Sequence, residues 1–589
     1  MKMYYRCMAA FLLVLMALAV LPVDAQTHES RAHRERFSRT NTYGDVVEII
    51  LKEPGTLEEK MPKDMFNRVR LLHVEGPMDH KDFKFIKQLC ERSRCEDARG
   101  KRVDNYIDLE LERARIMNSN KGSLLGSHGE RDVMGDGLSY STHLRSIMLP
   151  QRLKRIDSNA LYGCSHLEEV IMPEGVRSLG SSAFSGCSSL EYISLHDGLE
   201  RIGDGCFSNC SALKTITIPR SVIEIGNNAF RGAGLRRVTL PRGLEVLGAK
   251  AFENTPIAAL NIPAGTRITN DDLGRITKLE EITVEDGNRY YSYEDGVLYD
   301  NSGQVLLLCP MARRGVFTIP DDVEEIAPRA FAGSALSTVN LPASLQRLGQ
   351  YAFNGAHVTD IVLPDGLKAI PTGAFADCAQ LLSIELPDGL VMIGEAAFEN
   401  CSSLRSIDLP QGVSVILPRV FKHCGSLTEA VFPATLTGIG KEAFEGCGLM
   451  AIDLPQGLTT LGERAFKKCK GLTSVVVPDA CTMVGKEAFR ECSALATIDL
   501  GKGLITIGEN ALRETAITSL VLPECVQELG KKVAEKCKSL ERIECHAVLP
   551  PKLDGVSNNK VEVYVLPASV NAYREAKNWK NFKKILPLE

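Results

Sequence analysis

The 589-residue chain has a single tryptophan, Trp579, and beyond its N-terminal segment no apolar run nears the twenty or so residues a spanning helix needs. Its charges nearly cancel: 69 basic residues stand against 74 acidic ones, for a formal net charge of −5. That balance excludes the concentrated basic footprint of a nucleic-acid binder. The one short basic run, "RAHRERFSR" from Arg31, is broken by Glu35 and reads as a solvated tail. Catalytic signatures are missing as well. The 11 histidines are scattered without an H-E-x-x-H pattern, and there is no G-x-S-x-G, phosphate-binding glycine loop or dinucleotide fingerprint.

What is present begins at the N-terminus. Lys2 and Arg6 precede the apolar stretch "CMAAFLLVLMALAVLP", and "VDAQ" then offers small residues. This is the layout of a secretory signal peptide, residues 1–25, with cleavage after Ala25. No cysteine follows the cut, which argues against a lipid anchor, and no L-P-x-T-G sorting signal is present. The expected mature protein is exported to the cell surface, the periplasm or the medium, with no spanning segment.

The rest of the chain is periodic. Phe184, Phe207, Phe230, Phe252, Phe331, Phe353, Phe375, Phe398, Phe421, Phe444, Phe466 and Phe489 follow one another at 22 or 23 residues, apart from one gap after Phe252. Leu138, Leu161, Leu273, Leu512 and Ala534 extend the series to 17 units. A unit has 23 residues where its turn reads Cys-x-x-Leu, as from Cys187 to Leu190, and 22 where a residue is missing, as in "GAGL" from Gly232. Within "LRSIDLP", Leu404, Ile407 and Leu409 alternate with polar residues, the period of a half-buried strand. Pro410 ends the ladder, and the glycine of "QGV" or "DGL" is expected to take φ > 0 at the bend. "IGxxAF" then returns apolar residues over a segment with room for a helical turn or two. One unit cannot bury its apolar residues alone; stacked units bury a continuous core. At a strand spacing of about 4.8 Å the stack would be a curved rod roughly 80 Å long.

The unit "LxxIxLPxGLxxIGxxAFxxCxx" resembles the BspA-like family of bacterial leucine-rich repeat proteins, with LP, IG, AF and C recurring in register over most of the chain. Three other segments resemble parts of the same family: an N-terminal cap (Gly55 to Leu89, with Leu109 to Ile116), a hairpin excursion (Gly287 to Pro310) and a C-terminal cap (Val561 to Ile585). The expected architecture is a leucine-rich repeat solenoid, with parallel strands on one face and short helical or 3-10 turns on the other. Its divisions are a signal peptide at 1–25, an N-terminal cap region at 26–132, the solenoid at 133–549 with a hairpin insertion at about 285–317, and a C-terminal cap at 550–589. The resemblance implies a surface-exposed or secreted recognition and adhesion protein, not an enzyme.

Four features are candidates for chemistry. Ten cysteines occupy one slot of the unit, among them Cys378, Cys401 and Cys424. Zinc needs four ligands converging on a point, whereas each coil offers one sulfur. Ala233, Ser334, Ala356 and Thr515 fill the same slot, which favours core packing. Of 18 cysteines, Cys7 precedes the cut, leaving an odd number; the best intrachain pair is Cys90 with Cys95. The outward strand position carries Glu385, Asp408, Asp453, Asp499 and Glu544, and from Asp408 onward acid alternates with Val431, Val476 and Val521. Either this spacing keeps an exposed sheet soluble, or it builds an acidic face for a basic partner. Tyr290, Tyr291, Tyr293 and Tyr299 cluster on the hairpin, as binding rings or as its own packing. Glycosidase chemistry would need a desolvated carboxylate pair, which an open sheet does not provide. The expected function is non-catalytic recognition of a protein through the concave face, without cofactor or metal. A glycan-binding envelope protein and a structural envelope component are the alternatives.

Overall fold

The computed structural model describes residues 45–92, 94–96, 102–117, 131–268, 273, 275–555 and 560–589. The proposed signal peptide lies outside them, as do parts of the 26–132 region. The chain divides into two compact units, one ending at Glu253 and one beginning at Asn254.

In the first unit most repeats make two short parallel strands, a leading one from "LxxIxLP" and a trailing one just before the "IG" glycine; in the last repeats the leading ladder shrinks to one bridge between Thr215 and Arg237. The leading strands Leu144–Met148, Glu169–Ile171 and Tyr192–Ile193 pair in register, Ser146 with Glu169 and Glu169 with Tyr192. The trailing strands Arg155–Ile156, Ser178–Leu179, Arg201–Ile202, Glu224–Ile225 and Val246–Leu247 form a second ladder. The leading ladder starts well before the repeat pattern does. Val46–Ile50, Leu71–Met78 and Ile107–Glu110 pair in parallel ahead of Leu144–Met148. They keep the alternation, burying Val47, Ile49, Leu72, Val74, Ile107 and Leu109, but lack the AF and C anchors that mark the later units. Between two of them the helix His80–Arg92 turns Phe83, Ile86, Leu89 and Cys90 inward.

The second unit repeats the two-ladder coil around one apolar core that runs from Val297 to Ile585. Phenylalanines stack along it. Phe375, Phe398, Phe421, Phe444, Phe466 and Phe489 lie 5.2 to 5.6 Å from ring to ring, mostly within a few degrees of parallel. The arms that carry them are not helical. Each is a run of turns in which two residues flanking the phenylalanine take left-handed backbone: Arg419 and His423 (φ 60° and 62°), Arg464 and Lys468 (57° and 63°), Glu487 and Glu491 (54° and 63°). Two such reversals within five residues prevent any α-helical run, so the expected helical turns are absent here. Two non-glycine residues in this conformation cost about 2–4 kcal/mol together, most of which burial of the ring between them offsets at about 1.5–3 kcal/mol.

The bend glycines also behave differently from expectation. Gly198 has φ 108°, but Gly366, Gly412 and Gly503 have no positive φ. A Cβ at those three would instead sit 2.9, 2.3 and 2.3 Å from carbonyl oxygens of Leu345, Leu390 and Asp479 in the preceding coil. Close stacking, not handedness, selects glycine there. The "IG" glycine obeys the same constraint: a Cβ on Gly394 would lie 2.5 Å from the Thr372 amide nitrogen.

The hairpin excursion is a three-stranded antiparallel meander of Tyr291–Glu294, Val297–Asp300 and Val305–Leu308. Its third strand rejoins the trailing ladder by pairing with Glu325–Ile326. At the C-terminal end, Glu562–Val565 and Lys584–Pro587 add two more parallel strands. Trp579 closes the core there, 1 % exposed, its indole N–H donating to the Pro551 carbonyl at 2.8 Å.

Candidate interaction face

The cysteine column belongs to the core. Each thiol is buried and donates to a carbonyl of the coil before it: Cys378 to Phe353 at 3.0 Å, Cys401 to Phe375 at 3.1 Å, Cys424 to Phe398 at 3.2 Å, Cys492 to Phe466 at 3.1 Å. Burial pushes the thiols of Cys210, Cys378 and Cys492 up, to about 12, so these three stay protonated at neutral pH. A protonated, buried thiol is neither nucleophile nor metal ligand. Among the described residues no group of three or more His, Cys, Asp or Glu is placed to hold a metal. Cys90 is a free, fully buried thiol, and the side chain of Cys95 lies outside the described residues.

The acids separate into two populations that share the same coils. On the turn arms they are interlocked with cations. Glu442 pairs with Lys422 at 2.6 Å and Arg464 at 3.3 Å; Glu487 pairs with Arg464 at 2.9 Å, Lys467 at 3.1 Å and Arg490 at 3.1 Å. A second cluster further along joins Arg513 to Glu514 and Glu535, and Lys536 to Glu514. Burial alone would raise the Glu487 carboxyl, but hydrogen bonds from Arg464 and Lys467 outweigh it and hold the group down to about 2.

On the outer surface of the leading strands the acids are left without cations. Glu385, Asp408, Asp453 and Asp499 are exposed and form no ion pair. Parallel register sets Val362 beside Glu385, Asp408 beside Val431, and Val476 beside Asp499, so these three acids each have a valine neighbour, whereas Asp453 lies outside the paired strands. The valines are open to solvent too, Val476 at 60 % and Val431 at 47 %. Glu544 differs: half-buried, it is held by Arg542 at 2.7 Å, and that guanidinium lies 3.8 Å over the Tyr564 ring.

Two further acids share this face and were missed in the sequence. Asp360 and Glu429 are exposed, form no ion pair, and stand in the column two residues before the one followed above, with Asp360 beside Ser383 and Glu429 beside Ser406. The signal was available, since a period of two turns both residues i and i+2 outward. Six acids therefore face solvent from Asp360 to Asp499, and the outward strand positions among them hold no lysine or arginine.

The hairpin tyrosines split evenly. Tyr291 and Tyr299 are buried, and the Tyr291 hydroxyl donates to the Ile268 carbonyl while accepting from the Ile268 amide at 2.8 Å. Tyr290 and Tyr293 remain exposed at 44 % and 47 %, and the Arg267 guanidinium lies 5.9 Å over the Tyr290 ring.

Two parallel ladders per coil, a stacked phenylalanine and cysteine core and short coil repeats define a leucine-rich repeat β-solenoid. The sequence model of the BspA type leucine rich repeat region matches in six copies, over residues 134–258, 206–295, 315–428 and 414–541. The chain belongs to that family. No curated protein matches it. Among solved structures it is similar to a leucine-rich repeat protein from Bacteroides ovatus (23 % identity, 76 % of this chain and 92 % of that one, TM-score 0.38). It is also similar to one from Eubacterium ventriosum (20 % identity, 57 % and 85 %, TM-score 0.42). A third is a leucine rich cell surface protein from Faecalibacterium prausnitzii (22 % identity, 69 % and 92 %, TM-score 0.33). Family and fold are those of repeat proteins that are typically non-enzymatic. Among the described residues no helix is long and apolar enough to cross a membrane.

Proposed function

We propose that the protein is an exported, surface-associated recognition protein that binds a partner protein through the acid and valine face of its leading strands. One observation carries this reading. Within the same coils, arm acids such as Glu442 and Glu487 are tied to cations, while the six outward acids from Asp360 to Asp499 have none. Solubility needs charge of either sign, and mixed signs would serve it. A single sign beside exposed valines suits a partner with basic side chains and apolar contacts between them. The face is preformed by the ladder, so little ordering cost falls on binding.

The test is capture on the immobilised chain beside a variant carrying Asp408→Lys, Asp453→Lys and Asp499→Lys, matched in far-UV spectrum and melting temperature. A protein retained by the parent and lost by the variant is the expected result. Identical retention by both refutes the acidic face. The glycan reading rests on the exposed rings Tyr290 and Tyr293; saccharide binding that survives the acid substitutions and is lost with Tyr290→Ala and Tyr293→Ala would replace the protein reading.

A further inference from the structure

The trailing strands present a second surface with the opposite character. From Met392–Ile393 to Thr506–Ile507, six successive coils, the two residues before the buried anchor hold no charged side chain. Val391, Met392, Val415, Met483 and Ile505 are exposed there, among serine and threonine. Charge returns at both ends, with exposed Lys368 one coil before the strip and exposed Glu528 one coil after it. The first unit lacks such a strip: its trailing positions carry Lys154 and Arg155, Arg177, Glu200 and Arg201, Glu224 and Glu245. Loss of charge with gain of methionine is the compositional mark of an interface centre.

We infer that this neutral strip is the contact between two copies of the chain, packed face to face with their solenoid axes antiparallel. Charge selects the orientation. With parallel axes each coil would face its own equivalent, setting Lys368 against Lys368 and Glu528 against Glu528. With antiparallel axes the coil of Lys368 faces the coil of Glu528 in the second copy, and attraction replaces repulsion at both ends. The apolar residues then match as well. Val391 faces Ile505 of the second copy, and Val415 faces its Met483. Gly438, which has no side chain, faces its Thr460 beside the two-fold axis.

Eight coils at about 4.8 Å, two residues wide at about 3.3 Å, make a central strip of about 250 Å² on each copy. The two strips together make about 500 Å², and the exposed side chains flanking them must supply the rest of the roughly 1,000 Å² that a specific interface needs. That places the dimer at the weak end, with association in the micromolar range. Because the strip lies on the trailing strands, the dimer carries two uncovered leading-strand faces, which would bind a multivalent partner with avidity.

The test is sedimentation equilibrium of the full chain up to about 200 μM, a range that detects micromolar dissociation constants. The parent is expected to dimerise. Thr460→Lys, an exposed substitution that buries two ammonium groups at the two-fold axis, should raise the dissociation constant at least tenfold with an unchanged far-UV spectrum. Lys368→Glu should weaken the dimer, and adding Gln527→Lys should restore it, because position 527 is the one position 368 faces. The Asp408, Asp453 and Asp499 variant should dimerise like the parent, which keeps this inference separate from the proposed binding face. A monomeric parent, or a dimer indifferent to Thr460→Lys, overturns it. A dimer weakened by Thr460→Lys but not rescued by the charge exchange refutes the antiparallel arrangement.

Discussion

Replacing Glu487 with glutamine should expose how the arms are held together. Its side chain is 7 % exposed and receives Arg464 at 2.9 Å, Lys467 at 3.1 Å and Arg490 at 3.1 Å. The carboxyl sits at about 2 against an ordinary value of 4.5. At about 1.4 kcal/mol per unit, that difference corresponds to roughly 3 kcal/mol in favour of the folded state, an upper figure once solvent screening is counted. The sign follows from the direction of the shift. A carboxyl whose folded pKa is depressed stabilises fully above its unfolded value and loses that contribution as pH falls towards the folded one. Glu487→Gln should therefore cost about 2–3 kcal/mol at pH 7 and progressively less between about pH 4.5 and 2. Urea unfolding of parent and variant across that range, followed at the coils around Phe489 by hydrogen exchange, measures the gap. A gap that stays constant with pH would mean that the variant acts through packing and that the ion pairs contribute nothing.

Other outcomes follow from the same geometry. Phe421→Leu keeps most of the buried volume but removes stacking on Phe398 at 5.4 Å and Phe444 at 5.2 Å; it should cost about 1–3 kcal/mol, and Phe421→Ala about 4–5, in thermal unfolding. Lys468 is exposed at φ 63° and forms no ion pair, so Lys468→Asn should raise stability by a few tenths of a kcal/mol, up to about 1, in the same assay. Among the described cysteines Cys525 alone is exposed; iodoacetamide should label it in the native protein and reach Cys401 and Cys424 only after unfolding, as peptide mapping would show.

The coil was legible in the sequence because its determinants are local and repeated. The alternation of Leu404, Ile407 and Leu409 marks the strand, Pro410 ends it, and the spacing of the phenylalanines counts the units. Two parts were hidden. The strands from Val46, Leu71 and Ile107 have the alternation without the recurring anchors, so only their pairing reveals them as coils. The left-handed pairs fall on glycine, asparagine or aspartate around Phe207, Phe230 and Phe375, but on Arg464 and Lys468 around Phe466 and on Glu487 and Glu491 around Phe489, residues with no preference for that backbone, where the stack imposes it. At the candidate face, Asp408 and Asp499 were readable from a single column. Whether an acid is paired depends on the neighbouring coil, which no single unit contains; that is why the contrast between Glu487 and Asp408 emerged only in three dimensions.

The claim that the leading-strand face does the binding is tested most directly by mapping hydrogen exchange on the chain with and without a captured partner. The account predicts slowed exchange at Ser406–Asp408, Ser474–Val476 and Thr497–Asp499, with the arms around Phe421 and Phe489 unchanged. Protection confined to the hairpin around Tyr290 and Tyr293, or to the arms, would contradict it.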